Sequence, residues 1–428
     1  MTAPLPRRRT ERRGLRLWPV GTVLVLTFTA ALLVAAAVFT TGWDLLDAQG
    51  LKHEHRIDSN TLFDLVKLSF GVVAGAGALV ALVVAYRRQR IDEDGALREV
   101  TRLHTERFTT AVAQLGEESP AVRLGGVHSL AGLADDAPTR GLRQTCIDVL
   151  CAYLRLPHTT DTDLSAEDLD ARHAYRTLRE VRHTVIRLIR DHLRLPSEHP
   201  HSWQGHDLDL TNVTFDGGDF SRAVFSGGTV DFTGATFTGN TVYFNAAVFS
   251  GGTVSFKGAV FSGGRVGFAM AQFCGGTVYF IGATFSGGTV GFEDATFSGG
   301  RVGFNTAVFS SGEVYFNGAV FSTGTVGFNG AVFSGGTVDF NAALFSGGTV
   351  SFNGGVFSGG RIGFNAAGFS SGTVDFTSAT FSGGEVYFNG ATLSGGTVDF
   401  TMATGEAPAG LPTDGSPPGL SVPPAWSN

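Results

Sequence analysis

A twelve-residue unit recurs fifteen times up to Phe400, almost without slippage. One copy reads Ala331-Val332-Phe333-Ser334-Gly335-Gly336-Thr337-Val338-Asp339-Phe340-Asn341-Ala342. One phenylalanine series runs Phe225, Phe237, Phe249 and on to Phe381, with Leu393 closing it. The other runs Phe232, Phe244, Phe256 and on to Phe400. Ahead of both, Leu210, Phe215, Phe220 and Phe225 stand five apart. A unit this short cannot bury its own apolar face, so copies must stack on one another as a solenoid.

Each unit holds two short segments of the form small-or-branched, variable, Phe. Alternation with period two turns Val338 and Phe340 inward and Asp339 outward. Ser-Gly-Gly-Thr and Asn-Gly or Asn-Ala between the segments are turn residues. The predicted coil is therefore a β-helix, with Phe232, Phe237, Phe244, Phe249, Phe256, Phe328, Phe333 and Phe340 among its core. If coils stack in order, Phe232 follows Leu210, Phe237 follows Phe215 and Phe256 follows Phe232. The period is then two units per turn, and Thr325 lies beside Thr349 while Thr337 sits on another wall. The rival is a flat coil of one unit per turn.

Val213-Thr214-Phe215-Asp216-Gly217, Gly218-Asp219-Phe220-Ser221-Arg222 and Ala223-Val224-Phe225-Ser226-Gly227 resemble pentapeptide repeats. That resemblance implies a right-handed, four-walled β-helix with one pentad per wall. Two pentads plus two corner residues make the later unit of twelve. Arg107-Phe108, Gln114-Leu115-Gly116, Val122-Arg123-Leu124-Gly125-Gly126-Val127 and Cys151-Ala152-Tyr153 resemble a region found ahead of such repeats in bacterial membrane proteins. It implies a single HEAT-like helical hairpin. Together they resemble bacterial membrane-anchored pentapeptide-repeat proteins.

The rest of the 428 residues is read in that frame. Residues 1–17 are basic. Residues 18–40 are apolar over about 33 Å of helix, enough for a bilayer, and 63–86 form a second such run ending at Arg87 and Arg88. The basic flanks predict a multi-pass cell-membrane protein with a loop at 41–62 outside and both termini cytoplasmic. The rival for the first run is a cleaved signal peptide. Gly71 and Gly75 would let helices approach closely, within the hairpin or between copies as a homo-oligomer.

Residues 87–203 read as a cytoplasmic helical connector. Ser119-Pro120 is read as an N-cap with Pro at the first helical position, and Ser165 with Asp168 as a capping box opening a helix to Leu195. The β-helix is expected over 204–403, and the Pro- and Gly-rich 404–428 reads as a disordered tail. The expected class is thus α + β multidomain, with two transmembrane helices, a helical connector and the solenoid.

Little of the sequence points to chemistry. Cys146, Cys151 and Cys274 make no disulfide framework. His53-Glu54-His55 could touch a metal from its loop, but such alternating ligands are common by chance, and His173, His183 and His192 on the long helix read as a solvated face rather than metal-binding. No nucleophile set or phosphate loop assembles, so the chain is read as no enzyme, without cofactor or metal. The net charge of −7 disfavours nucleic acid as partner. The expected function is a membrane-tethered scaffold presenting the solenoid to a protein partner. Tyr243, Tyr315, Tyr387, Asn329 and Asn353 are the candidate contacts, and the Asn series could form side-chain ladders. The alternative is a DNA mimic that engages topoisomerases, which needs a denser acidic face. Ice binding, suggested by Thr325, Thr337 and Thr349, ranks last.

Overall fold

The structure, a computed structural model, describes residues 59–158, 167–411 and 417–427, with Leu164 and ten positions between 22 and 41. Helix α1 spans Ser59–Leu115, 57 residues without a break. At about 1.5 Å per residue it is about 85 Å long, far more than the ~30 Å of a bilayer core. Asp64 and Lys67 pair at 3.3 Å near its start, and Arg87, Arg88, Arg90, Asp92 and Glu93 follow its apolar stretch. Among the described residues no helix is long and apolar enough to cross a membrane. This overturns the two predicted transmembrane helices and the multi-pass membrane placement with cytoplasmic termini. Hydropathy over 63–86 was read as a span, whereas the chain there is one stretch of a much longer, increasingly charged helix. Most of 18–40, and the His53-Glu54-His55 cluster, lie outside the described residues.

Three further helices follow: α2 (Pro120–Asp135), α3 (Arg140–Arg155) and α4 (Leu169–Arg194). Val127, Leu130 and Leu133 of α2 pack with Ile147, Leu150 and Leu154 of α3, all buried. Gly126 allows the end of α1 to come close, since a Cβ there would meet Ala111 O at 2.9 Å. Ser119 is the N-cap of α2 with Pro120 at its first position, as the sequence reads. Ser119 makes no side-chain cap bond, whereas Thr139 accepts from Leu142 N. Asp168 caps α4, accepting from Ala171 N at 2.9 Å, whereas Ser165 of the expected capping box lies outside the described residues.

The solenoid has about nine turns with a Phe at intervals of about five residues, consistent with a pentapeptide-repeat fold. Its strands form two parallel sheets of 12 and 13 strands. Eight-residue strands such as Val332–Asp339 run on through the Gly-Gly corner, so each sheet folds into two faces. The first turn takes 22 residues, pairing Leu208 with Val230 and Thr214 with Thr236. The turns after it take 24, pairing Val224 with Val248 and Thr325 with Thr349, until the last pairing, Val398 with Leu420, which is again 22. This is the two-unit period, and it excludes the flat coil of one unit per turn.

Four columns of rings fill each turn. Phe215 stacks on Phe237 at 5.1 Å, Phe220 on Phe244 at 5.0 Å, Phe225 on Phe249 at 5.0 Å and Phe232 on Phe256 at 4.6 Å. The columns that contain Phe232 and Phe244 also meet edge to face across the axis, at 5.8 Å and 84°. Stacked and T-shaped pairs of this kind each add about 0.5–1.5 kcal/mol beyond burial. Small residues complete the layers: Ala331 is 0% exposed and Val338 is 2% exposed. We number the four faces by the columns behind them: first Phe232, second Phe237, third Phe244, fourth Phe249.

The Pro-rich C-terminal segment contributes ordered structure. Leu420–Ser421 pairs with Thr397–Asp399, and Pro424–Trp426 forms a short 3-10 helix. Trp426 meets Phe381 and Phe400 edge-on at 5.6 and 5.5 Å and donates Nε1 to Gly405 O. Composition suggested disorder, but a few apolar side chains suffice where they cover open ring columns.

Candidate functional site

The predicted core phenylalanines, Phe232, Phe237, Phe244, Phe249, Phe256, Phe328, Phe333 and Phe340, are all buried inside the ring columns. What the solenoid offers a partner is its outward positions. Between 236 and 404 those of the second and fourth faces are Val, Thr, Ser, Gln, Leu, Cys or Gly, without a charge. Charges and tyrosines stand on the first and third faces. The first face carries a rank of threonines, Thr229, Thr253, Thr277, Thr325, Thr349 and Thr373, interrupted by Arg301. Thr337 is not part of it and pairs with Glu313 and Arg361 on the third face.

The third face gathers all three candidate tyrosines. Tyr243, Tyr315 and Tyr387 are 72 residues apart, which is three turns, or about 14 Å along the axis. Strand alternation turns each outward between a buried Val and a buried Phe. Gly267 and Gly291 follow Tyr243 in the next two turns, and Gly363 precedes Tyr387. Asn245 and Glu293 lie flat over the first two of these glycines, where a Cβ would come within 2.5 Å and 2.1 Å of a side-chain oxygen. The face therefore alternates ring-high and flat ground.

Its charges are interleaved. Arg265 bonds Glu293 at 3.0 Å, the Arg361 guanidinium lies 5.2 Å from the Tyr387 ring centre, and the Tyr387 hydroxyl donates to Glu385 at 2.8 Å. Burial, the Glu313 hydrogen bond and the surrounding carboxylates push the Tyr315 hydroxyl up to about 12, so it stays a donor. Burial likewise raises Asp339 above the ordinary carboxylate value, against the pull of Arg361. Beside this face a shallow cavity of about 250 Å³ is lined by Glu385, Tyr387 and Glu406.

The asparagine ladder differs from the expected one. Asn305 Oδ1 accepts from the backbone N–H of Asn329, and Asn341 Oδ1 from that of Asn365. These side chains bond the next coil's backbone rather than one another. Asn329 and Asn353 are exposed on the first face, away from the tyrosines. On α1, a Cβ at Gly71 or Gly75 would meet nothing within 4 Å.

A second polar cluster, unanticipated from sequence, fastens α4 to the first coil. Asp216 accepts from Tyr175 at 2.5 Å, lies 3.3 Å from His183 Nε2 and pairs with Arg179 at 3.5 Å. Arg182, 2% exposed, donates to Leu154 O and Thr214 O. Burial pushes the Asp216 carboxyl up, but the His183 and Tyr175 bonds and the nearby positive charge outweigh it, holding it near 2. His192, read as solvated, is buried: it stacks on Trp203 at 4.1 Å and reaches Asp135 at 3.1 Å. Cys146 and Cys151 are buried in the helical core, and burial raises their thiols to about 11 and 12. Among the described residues, no group of His, Cys, Asp or Glu could hold a metal ion.

No family model, curated protein or solved structure matches the chain.

Proposed function

We propose that the chain is a non-enzymatic interaction module of the pentapeptide-repeat kind, whose third face receives a protein partner. The alignment of Tyr243, Tyr315 and Tyr387 on one face carries this reading. Tyrosine offers large contact area at small entropic cost and is enriched among residues that dominate binding energy. Stacked rings and coil-to-coil bonds hold the backbone beneath them, so little ordering cost falls on association. The DNA-mimic reading is weaker, because Arg265 and Arg361 break the acidic series on that face.

The test compares the full chain with its Tyr315→Ala, Tyr387→Ala variant as baits. Loss of a specifically captured protein, with the far-ultraviolet dichroism unchanged, is the expected result. Unchanged capture would refute the assignment of this face. Dose-dependent inhibition of DNA supercoiling by the wild-type chain would favour the mimic instead.

A further inference from the structure

We infer that the partner of the third face is a second copy of this chain, docked face to face with the solenoid axes antiparallel. The observation is a pattern across six consecutive coils. Along one edge stand Arg265, Thr289, Glu313, Thr337, Arg361 and Glu385, in register from coil to coil. The central positions read Gly267, Gly291, Tyr315, Asp339, Gly363 and Tyr387.

A two-fold axis lying across the face, between the Tyr315 and Asp339 coils, reverses coil order and keeps each edge against its own counterpart. Arg265 then faces Glu385 of the other copy, and Glu385 faces Arg265, giving two opposite-charge contacts about 24 Å apart at the two ends (five coil steps at ~4.8 Å). Tyr387 stands over the flat ground of Gly267 and Asn245. Gly291 meets Gly363, Tyr315 meets Asp339, and Arg361 meets Thr289. No like charges stand directly opposite. A one-coil slip in either direction is worse: with the axis on the Glu313 coil, Arg265 faces Arg361 and Glu313 faces its own copy, and with it on the Thr337 coil, Glu313 faces Arg361 but both Arg265–Glu385 contacts are lost and Asp339 faces its own copy. Isologous association requires this self-complementarity, and rim charges of this sort fix register more than they add affinity.

Arg265 and Glu385 are both exposed, and each keeps capacity for a further contact beyond Glu293 and Tyr387. A strip six coils long and one strand wide is small for a specific interface, so the dimer is a reversible one.

This inference rests on the reading of the solenoid as an interaction module. Sedimentation velocity on the full chain, from about 1 to about 200 µM, should show reversible dimerisation, consistent with an interface of this size. R265E and E385R should each weaken it about tenfold or more by placing like charges together. Mixing the two variants should restore association, because in the mixed dimer both contacts join opposite charges. The R265E, E385R double variant should recover it as well. A purely structural role for Arg265 would not be rescued by mixing. A monomer throughout, a dimer indifferent to R265E, or a mixture no tighter than either variant alone would overturn the inference. A monomeric chain that still loses a captured protein on Tyr315→Ala, Tyr387→Ala would overturn the dimer alone. A monomer whose capture is also unaffected would overturn the module reading with it.

Discussion

Asp216→Asn tests the joint between the helical region and the solenoid. The carboxylate sits at 7% exposure, so little solvent screens its partners. Lowering it from an ordinary 3.8 to about 2 corresponds, at about 1.4 kcal/mol per tenfold, to about 2.5 kcal/mol of stability. An amide keeps the shape and one acceptor but loses the charge. Arg179 and the buried Arg182 would then lack their counter-charge, so the expected cost at pH 7 is about 2–3 kcal/mol. The sign with pH follows from the depressed value. The contribution is fully present above about pH 4 and is lost as the pH falls through about 2. The gap between wild type and D216N should therefore be full at pH 5–7 and close towards pH 2. Urea unfolding at several pH values measures the gap. Amide exchange over 175–186 and 213–220 shows whether the loss is local to the joint. An unchanged midpoint at pH 7, or a deficit as large at pH 2 as at pH 7, would refute the electrostatic account.

Three further outcomes are expected. Ala342 and Ala366 hold left-handed φ values of 57° and 55°, so Gly at each should raise stability by up to about 1 kcal/mol, seen as a higher melting temperature. Gly336 has φ 70°, and a Cβ there would lie 2.4 Å from Gly312 O in the preceding coil; Gly336→Ala should cost about 2 kcal/mol or more and speed exchange in the flanking coils. For His192, burial lowers the imidazole but the bonds to Asp135 and Leu188 outweigh it and raise it above 6.5. Its contribution is therefore full below about pH 6.5 and lost as the pH rises through the folded value, a slope that His192→Gln should abolish in urea titrations.

The solenoid was legible because its inward positions repeat without interruption. Phe232 and Phe256 announce each other by spacing alone, and so does the 22-residue first turn, from Leu210 to Phe232. The common face of Tyr243, Tyr315 and Tyr387 also lay in the sequence, as multiples of 24, once two units were known to make a turn. Contacts between elements were not legible. Asp216 meets Tyr175 across 41 residues and His183 across 33, and no local pattern marks a carboxylate as buried. His192 sits among arginines on an amphipathic helix, and only Trp203, folded back over it, removes it from water. Trp426 belongs to a segment whose composition argues for disorder, and its anchor is the open end of a stack that the tail's own sequence does not reveal. The apolar run at 63–86 misled in the opposite direction, since it was read as a membrane span, and among the described residues no helix is long and apolar enough to be one.

Two units per turn also make copy number behave like a rotary switch. Gain or loss of one twelve-residue unit would leave every ring column filled, because both phenylalanine series repeat with the period of one unit, half a turn. Everything downstream would nevertheless be carried half a turn round the axis. A unit inserted between Tyr315 and Tyr387 would send Tyr387 to the opposite side of the rod from Tyr315, without disturbing one buried residue. Unequal recombination between such similar stretches of coding sequence could thus erase or relocate a surface in a single step. A pair of units would only lengthen it.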